Sequence, residues 1–164
     1  MSTPQITTRR ATLDDFAALK AFDEALIAYD ANFDETLNAK WPESEEATEY
    51  FRDRASGAEG VAFMAEVDGK TVGFLTAVMR EAHSYRTISQ VAELESMFVD
   101  PAWRGRAIGE QLVEHFLAWA RSSGATRVCV EASYDNSGAV KFYQKMGFIP
   151  YNILLEQTIS PMRS

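Results

Sequence analysis

The segment DPAWRGRAIGEQLVEHF, residues 100–116, decides how the rest of the chain is read. It follows an apolar run ending at Val99, breaks at Asp100-Pro101, and leads into Leu112, Phe116 and Trp119 at helical spacing. The pattern predicts a strand, a tight turn and a helix over about 105–122, halted by Gly124. A helix start in that position presents backbone N–H groups without intrahelical acceptors, and its dipole favours an anion. Arg104 and Arg106 add positive charge. Taken alone, the loop suits a pyrophosphate about as well as a plain helix start. Ala107 stands where the strictest glycine-rich loop carries glycine. Alanine keeps its N–H, and the expectation is that residue 107 has helical dihedrals, where alanine is the better residue.

Upstream, QITTRRAT reads as a first strand. Thr12 and Asp15 form a variant capping box, and Leu13, Phe16, Leu19, Phe22, Leu26 and Tyr29 recur at helical spacing. DANFDETLNAKWPES has no clear period and reads as a loop. A second helix through EEATEYFRDRAS is capped near Ser44 and stopped by Gly57. EGVAFMAEVDGKTVGFLTAVM is a hairpin turning at Asp68-Gly69. TISQVAELESMFV then predicts another strand. Beyond the long helix, TRVCVEAS predicts a strand, NSGAVKFYQKMG a short helix closed by Gly147, and FIPYNILLEQTI a final strand. The order is β-α-α-β-β-β-α-β-α-β, a mixed α/β pattern unlike a doubly wound dinucleotide fold.

Composition narrows the function classes. The chain has 164 residues, 46% hydrophobic and 12% aromatic, with neither repeats nor low-complexity tracts, so a single domain over 1–164 is expected. The start carries no apolar leader region, and no run is long enough to cross a bilayer. A single cysteine, Cys129, fits a reducing cytoplasm, and its place in an apolar strand predicts a core residue. A net charge of −8 argues against nucleic-acid binding and leans toward a cationic partner. No Cys/His cluster suggests a metal.

The stretch from Ala92 to Phe148 resembles the GNAT superfamily of acetyl-CoA-dependent N-acetyltransferases. Two motifs carry the resemblance: Arg104-Gly105-Arg106-Ala107-Ile108-Gly109 after a V-x-P strand end, and N-x-x-A-x-x-F-Y-x-x-x-G-F from Asn136 to Phe148. The family implies a twisted, mostly antiparallel mixed sheet of about six to seven strands flanked by about four helices. It implies that backbone N–H groups of Arg104, Gly105, Arg106, Ala107, Ile108 and Gly109 hold the pyrophosphate of coenzyme A. The main chain around Met97, Phe98 and Val99 would pair with the pantetheine arm, and Asn136 would bond to the same region. Lys141 is a weaker candidate near the nucleotide. Tyr143 would sit by the sulfur and protonate the departing thiolate.

Glu93 and Glu95, two apart on a strand, point to one face, and charge there is costly without a purpose. Either could bind a cationic amine or remove its proton, with Glu95 the first choice; a solvated face is the alternative. Asp30, Asp34, Glu35 and Trp41 lie where the family places variable substrate-recognition elements. His115 reads as a surface or packing residue, His83 as a loop residue, and Trp103 as a cover over the 104–109 loop. The reading is an acetyltransferase acting on a primary amine of a small cationic molecule, with a homodimer compatible with the family. The alternatives are a coenzyme A-binding sensor of the same fold, or a peptide or protein N-acetyltransferase.

Overall fold

A computed structural model describes residues 2–163. Strand β1 (Ile6–Arg10) leads through a 3₁₀ turn (Leu13–Asp15) into helix α1 (Phe16–Asp30). The backbone N–H of Thr12 donates to Asp15 Oδ2 at 2.8 Å, as a capping box requires. Helix α2 (Glu45–Ser56) starts where the Ser44 hydroxyl oxygen accepts from Ala47 N, and ends at Gly57 with φ 74°. The hairpin of β2 (Gly60–Val67) and β3 (Lys70–Glu81) turns at Asp68 and Gly69, both left-handed (φ 49° and 82°). Strand β4 (Gln90–Val99), helix α3 (Ile108–Ser122), strand β5 (Arg127–Val130) and helix α4 (Ser137–Lys145) complete the elements.

The five strands lie in chain order, β1-β2-β3-β4-β5, antiparallel except for the parallel pair β4–β5. Alternation along β2 sorts its side chains onto two layers. Val61, Phe63, Ala65 and Val67 face α3, where they meet Ile108, Leu112, Val113 and Phe116. Ala62 and Met64 face the other way, against Leu19 of α1 and Phe51 of α2. Both faces of β2 and β3 are therefore covered, which explains their nearly unbroken apolar sequence. Phe51, Phe74 and Phe116 are fully buried, each contributing roughly 1.5–3 kcal/mol of transfer free energy.

The α/β class and the helix count match expectation, but the sheet has five strands, not six to seven. The expected last strand does not form: residues 148–163 have no regular structure and pair with no strand. That absence also corrects Cys129. It lies on the uncovered edge strand β5 and is exposed, not core. No helix among the described residues is long and apolar enough to cross a membrane.

Candidate active site

The site begins where β4 leaves its neighbours. Against β3, Ser96 is opposite Thr76 but Leu94 is opposite Ala77, so Glu95 is an extra residue, a β-bulge. Against β5, pairing covers only Val91 to Leu94. From Glu95 onward β4 and β5 diverge and one edge of β4 is open. Asp100 N donates to Val72 O at 2.8 Å, and antiparallel alternation then gives Phe98 and Ser96 the bonds to β3. The main chain of Met97 and Val99 faces the gap. Part of that edge is taken, because Arg104 Nε donates to the Val99 carbonyl at 3.0 Å.

Helix α3 starts at this gap. Its first residues, Ile108 to Glu110, have N–H groups with no acceptor within the helix, and no side chain caps them. The approach is curled by two left-handed residues, Gly105 (φ 76°) and Ala107 (φ 60°, ψ 20°). Ala107 is thus not in helical conformation; the helix starts one residue later, at Ile108. The sequence suggested that alanine was the better residue here because it extends helices. In fact it occupies a position that favours glycine, at a cost of about 1–2 kcal/mol.

Gly109 is favoured by proximity. A Cβ there would lie 3.2 Å from Phe142 Cζ, so its absence lets α3 approach α4 closely. Helix α4 is capped by Asn136, whose Oδ1 accepts from Ala139 N at 3.2 Å. Next to Phe142, Tyr143 stands edge-on to Phe142 and Phe148 at 5.3 and 5.6 Å. Burial first, and the negative charge of Asp30 second, push its phenol above the ordinary tyrosine range.

These parts surround one cavity of about 640 Å³. Its walls include Glu95, Met97, Phe98 and Val99, then Arg104, Gly105, Ala107, Ile108 and Gly109, with Asn136 and Tyr143 opposite. Trp103 also lines it, with the Arg106 guanidinium 4.7 Å over its ring. Arg106 itself does not line the cavity, nor do Glu93 and Lys141. Arg104 lies between the rings of Tyr29 and Phe98, 5.3 Å from each, and so joins α1 to the loop.

The two strand carboxylates are already paired. Glu93 accepts from Arg80. Glu95 accepts from Arg54 Nε and Nη2 at 2.7 and 2.8 Å, and from the Tyr50 hydroxyl at 3.2 Å. Gly60 makes room for this arrangement, since a Cβ there would meet Arg54 Cδ at 2.5 Å. Tyr50 also shares a hydrogen bond of 2.8 Å with Thr76 Oγ1. Sequence reasoning missed Arg54 and Tyr50. Their signal was available: they lie four apart on the face of α2 that carries Ala47, Phe51 and Ala55.

Of the four residues in the expected recognition segment, Asp30 lines the cavity, at the end of α1. Asp34 instead accepts from Thr36 N and Oγ1, closing its own turn. Glu35 is exposed, and Trp41 packs on Tyr50 and Phe51. His115 is exposed beside Phe63, and His83 stacks on Tyr85 in the loop after β3. Leu112 and Phe116 are core, with Trp119 partly buried against them.

Asp23 was not anticipated. It is 4% exposed, and its Oδ2 has no hydrogen-bond partner. Burial, then Asp30 and Glu24, raise its carboxyl to about 6. The folded state therefore holds this proton more tightly than the unfolded chain. Its stability is greatest below the ordinary carboxylate range and falls as pH rises through about 6. At neutral pH the charged form costs about 3 kcal/mol. Asp23→Asn is expected to unfold at higher temperature than the parent at pH 7.5, the two converging near pH 4. Equal melting temperatures across that range would refute the assignment.

Comparison with known proteins agrees with the geometry. Residues 26–148 match the model of the Acetyltransferase (GNAT) family. An uncharacterized N-acetyltransferase of Methanocaldococcus jannaschii is 32% identical over 136 residues, 83% of this chain and 56% of that protein. The chain thus spans little more than half the length of that relative. An aminoglycoside N(6')-acetyltransferase type 1 of Stenotrophomonas maltophilia is 31% identical over 66% of this chain and 72% of its own length. Among solved structures, the aminoglycoside N-acetyltransferase AAC(6')-Iy in complex with CoA superposes with TM-score 0.77 at 20% identity, covering 96% of this chain and 97% of that one. The open edge of β4, the curled start of α3 and these matches have one explanation: the chain belongs to the Acetyltransferase (GNAT) family.

Proposed function

We propose that the chain transfers the acetyl group of acetyl-CoA directly to a primary amine of a small cationic molecule. One observation carries the reading: the anion cradle, the open edge of β4 and Tyr143 all line one cavity, which also holds Asp30 and Glu95. The residues present fit the cosubstrate. Uncapped N–H groups at the start of α3 suit a pyrophosphate, and the free main chain of Met97 suits an amide-bearing arm. The Asn136 side-chain N–H groups remain for a ligand carbonyl, since its oxygen already caps α4. Arg106, outside the cavity, acts on the nucleotide end only through its charge.

Acetyl-CoA supplies an activated acyl group, so the protein's tasks are orientation and proton handling. The incoming amine must arrive neutral, because an ammonium group has no lone pair. Glu95 is poorly placed to take that proton directly, as Arg54 and Tyr50 already donate three hydrogen bonds to its two oxygens and favour its charged form. It orients the amine side of the cavity. Asp30 makes no salt bridge among the described residues, and burial raises its carboxyl above the ordinary range. It serves as the anchor for the cation and the first acceptor of its proton. Tyr143 lies on the side where sulfur departs.

Relatives named as aminoglycoside N(6')-acetyltransferases support a cationic acceptor, as do the net charge of −8 and the cavity carboxylates. The test is thiol release from acetyl-CoA with an aminoglycoside, a polyamine, an amino acid and a peptide amine offered in turn. Amine-dependent release, fastest with a polycationic acceptor, is expected. Thermal protection by acetyl-CoA without turnover on any amine would instead favour a cofactor sensor.

A further inference from the structure

A second cavity lies at the other end of the β4–β5 pair. Val91 opposite Arg127 is the first of its paired positions, and the strands part for the active site only after Leu94. This pairing sets the start of β5 beside the loop that leads into β4, and the chain returns there after α4. Tyr85, Arg86, Thr87 and Ile88 of that loop, Arg127 of β5 and Tyr151 surround an open cavity of about 480 Å³. Its volume is that of a small-molecule site, and none of these residues lines the candidate active site.

The lining is cationic and aromatic, in a chain of net charge −8. No carboxylate is part of it, and neither Arg86 nor Arg127 forms a salt bridge among the described residues. Both guanidinium groups are instead gathered on one ring. Arg86 lies 5.1 Å and Arg127 5.4 Å from the centre of Tyr151, and Arg86 is also 5.9 Å from that of Tyr85. Arg86 Nη1 donates to the Tyr151 hydroxyl. That hydrogen bond and the charge of Arg86 first, and Arg127 after them, hold the Tyr151 phenol below the ordinary tyrosine range. Both cations thus act at one point.

We propose that this cavity binds a small phosphate monoester with a planar organic part. Like charges gathered with no carboxylate between them carry a cost that a bound anion removes. A guanidinium lying over a ring keeps its N–H groups around its edge, where they meet an oxyanion as a fork. Two such forks match the nearly double charge of a phosphate monoester better than the single charge of a carboxylate. A bare oxyanion would leave most of the 480 Å³ unfilled. The Tyr85 and Tyr151 rings, 78% and 62% exposed, offer flat faces to the rest of the ligand. The site lies beyond the paired stretch of β4 and β5, and it does not depend on the acetyl-transfer reading.

Adenosine 5'-monophosphate is the probe, titrated into the full chain with isoleucine methyl resonances as the readout. Ile88 lines this cavity and Ile108 the active site, so the two report separately. A saturable shift of the Ile88 resonance is expected, with a Kd of about 1 mM or tighter. Adenosine at the same concentration should leave that resonance in place, and inorganic phosphate should bind more weakly. The double variant Arg86→Gln, Arg127→Gln is expected to raise the Kd about tenfold or more. Its circular dichroism should stay that of a folded protein, since neither residue belongs to either core. Several results would each overturn the assignment: no shift at Ile88, a shift confined to Ile108, or an equal shift from sodium chloride at matched ionic strength. So would adenosine or inorganic phosphate binding as tightly as the monophosphate, or an unchanged Kd in the folded double variant.

Discussion

Arg54→Met is expected to destabilise the fold by about 3–5 kcal/mol, the cost of leaving a buried charge without its partner. For a chain of this length that lowers the melting temperature by roughly 6–20 °C. The Arg54 and Glu95 side chains are both largely buried, and two N–H groups of the guanidinium meet the two carboxylate oxygens. Removing the arginine strands Glu95 beside Tyr50, whose phenol burial and Glu95 already push upward. The double variant Arg54→Met, Glu95→Gln should regain a large part of the loss, because the more buried carboxylate is neutralised and Asp53, the arginine's other partner, still accepts from Glu59 N and Gly60 N. Chemical denaturation of the parent, both single variants and the double variant measures this directly. A single-variant cost under about 1 kcal/mol would mean that the pair behaves as a surface ion pair.

The second large effect is on rate. Tyr143→Phe is expected to lower kcat about 100-fold or more with whichever amine is accepted, leaving the Kd for coenzyme A unchanged. The size of the phenol's shift decides what it does. A thiol ordinarily titrates near 8.5 and a phenol near 10, and burial moves this phenol further up. Full proton transfer from Tyr143 to a thiolate is therefore uphill. In the proposed reaction the hydroxyl works as a hydrogen-bond donor that stabilises charge developing on sulfur, while the proton lost by the amine eventually neutralises it. Phenylalanine keeps the packing on Phe142 and Phe148, so binding should persist. An unchanged kcat would remove Tyr143 from the chemistry.

The sequence carried the parts of the fold that local physics determines. Ser44 and Gly57 bounded α2, Asp68-Gly69 made the hairpin, and alternation along β2 gave both packed faces. It also brought the 104–109 loop and Asn136 to one place through two motifs. What stayed hidden was set between distant elements. The pairing of Arg54 with Glu95 spans 41 positions, and the spacing that puts Arg54 on the packed face of α2 does not name its partner. The bulge at Glu95 depends on the register of β3 against β4. The segment 148–159 is rich in Ile, Leu and Tyr as strands are, but composition does not specify which edge accepts it, and within the described residues none does. Ala107 was misjudged because the residue's identity is compatible with a helix, whereas the loop's path around Gly105 demands a left-handed turn.

That left-handed alanine has a consequence for how the cradle meets its ligand. Glycine at 107 would relieve the strain, but it would also let the free loop wander among many backbone states. Alanine has few alternatives once α3 is packed against the sheet. Much of the loop's ordering entropy is then lost during folding, before any phosphate arrives. On the proposed reading, the cradle trades about 1–2 kcal/mol of folding stability for a binding surface that is already in shape.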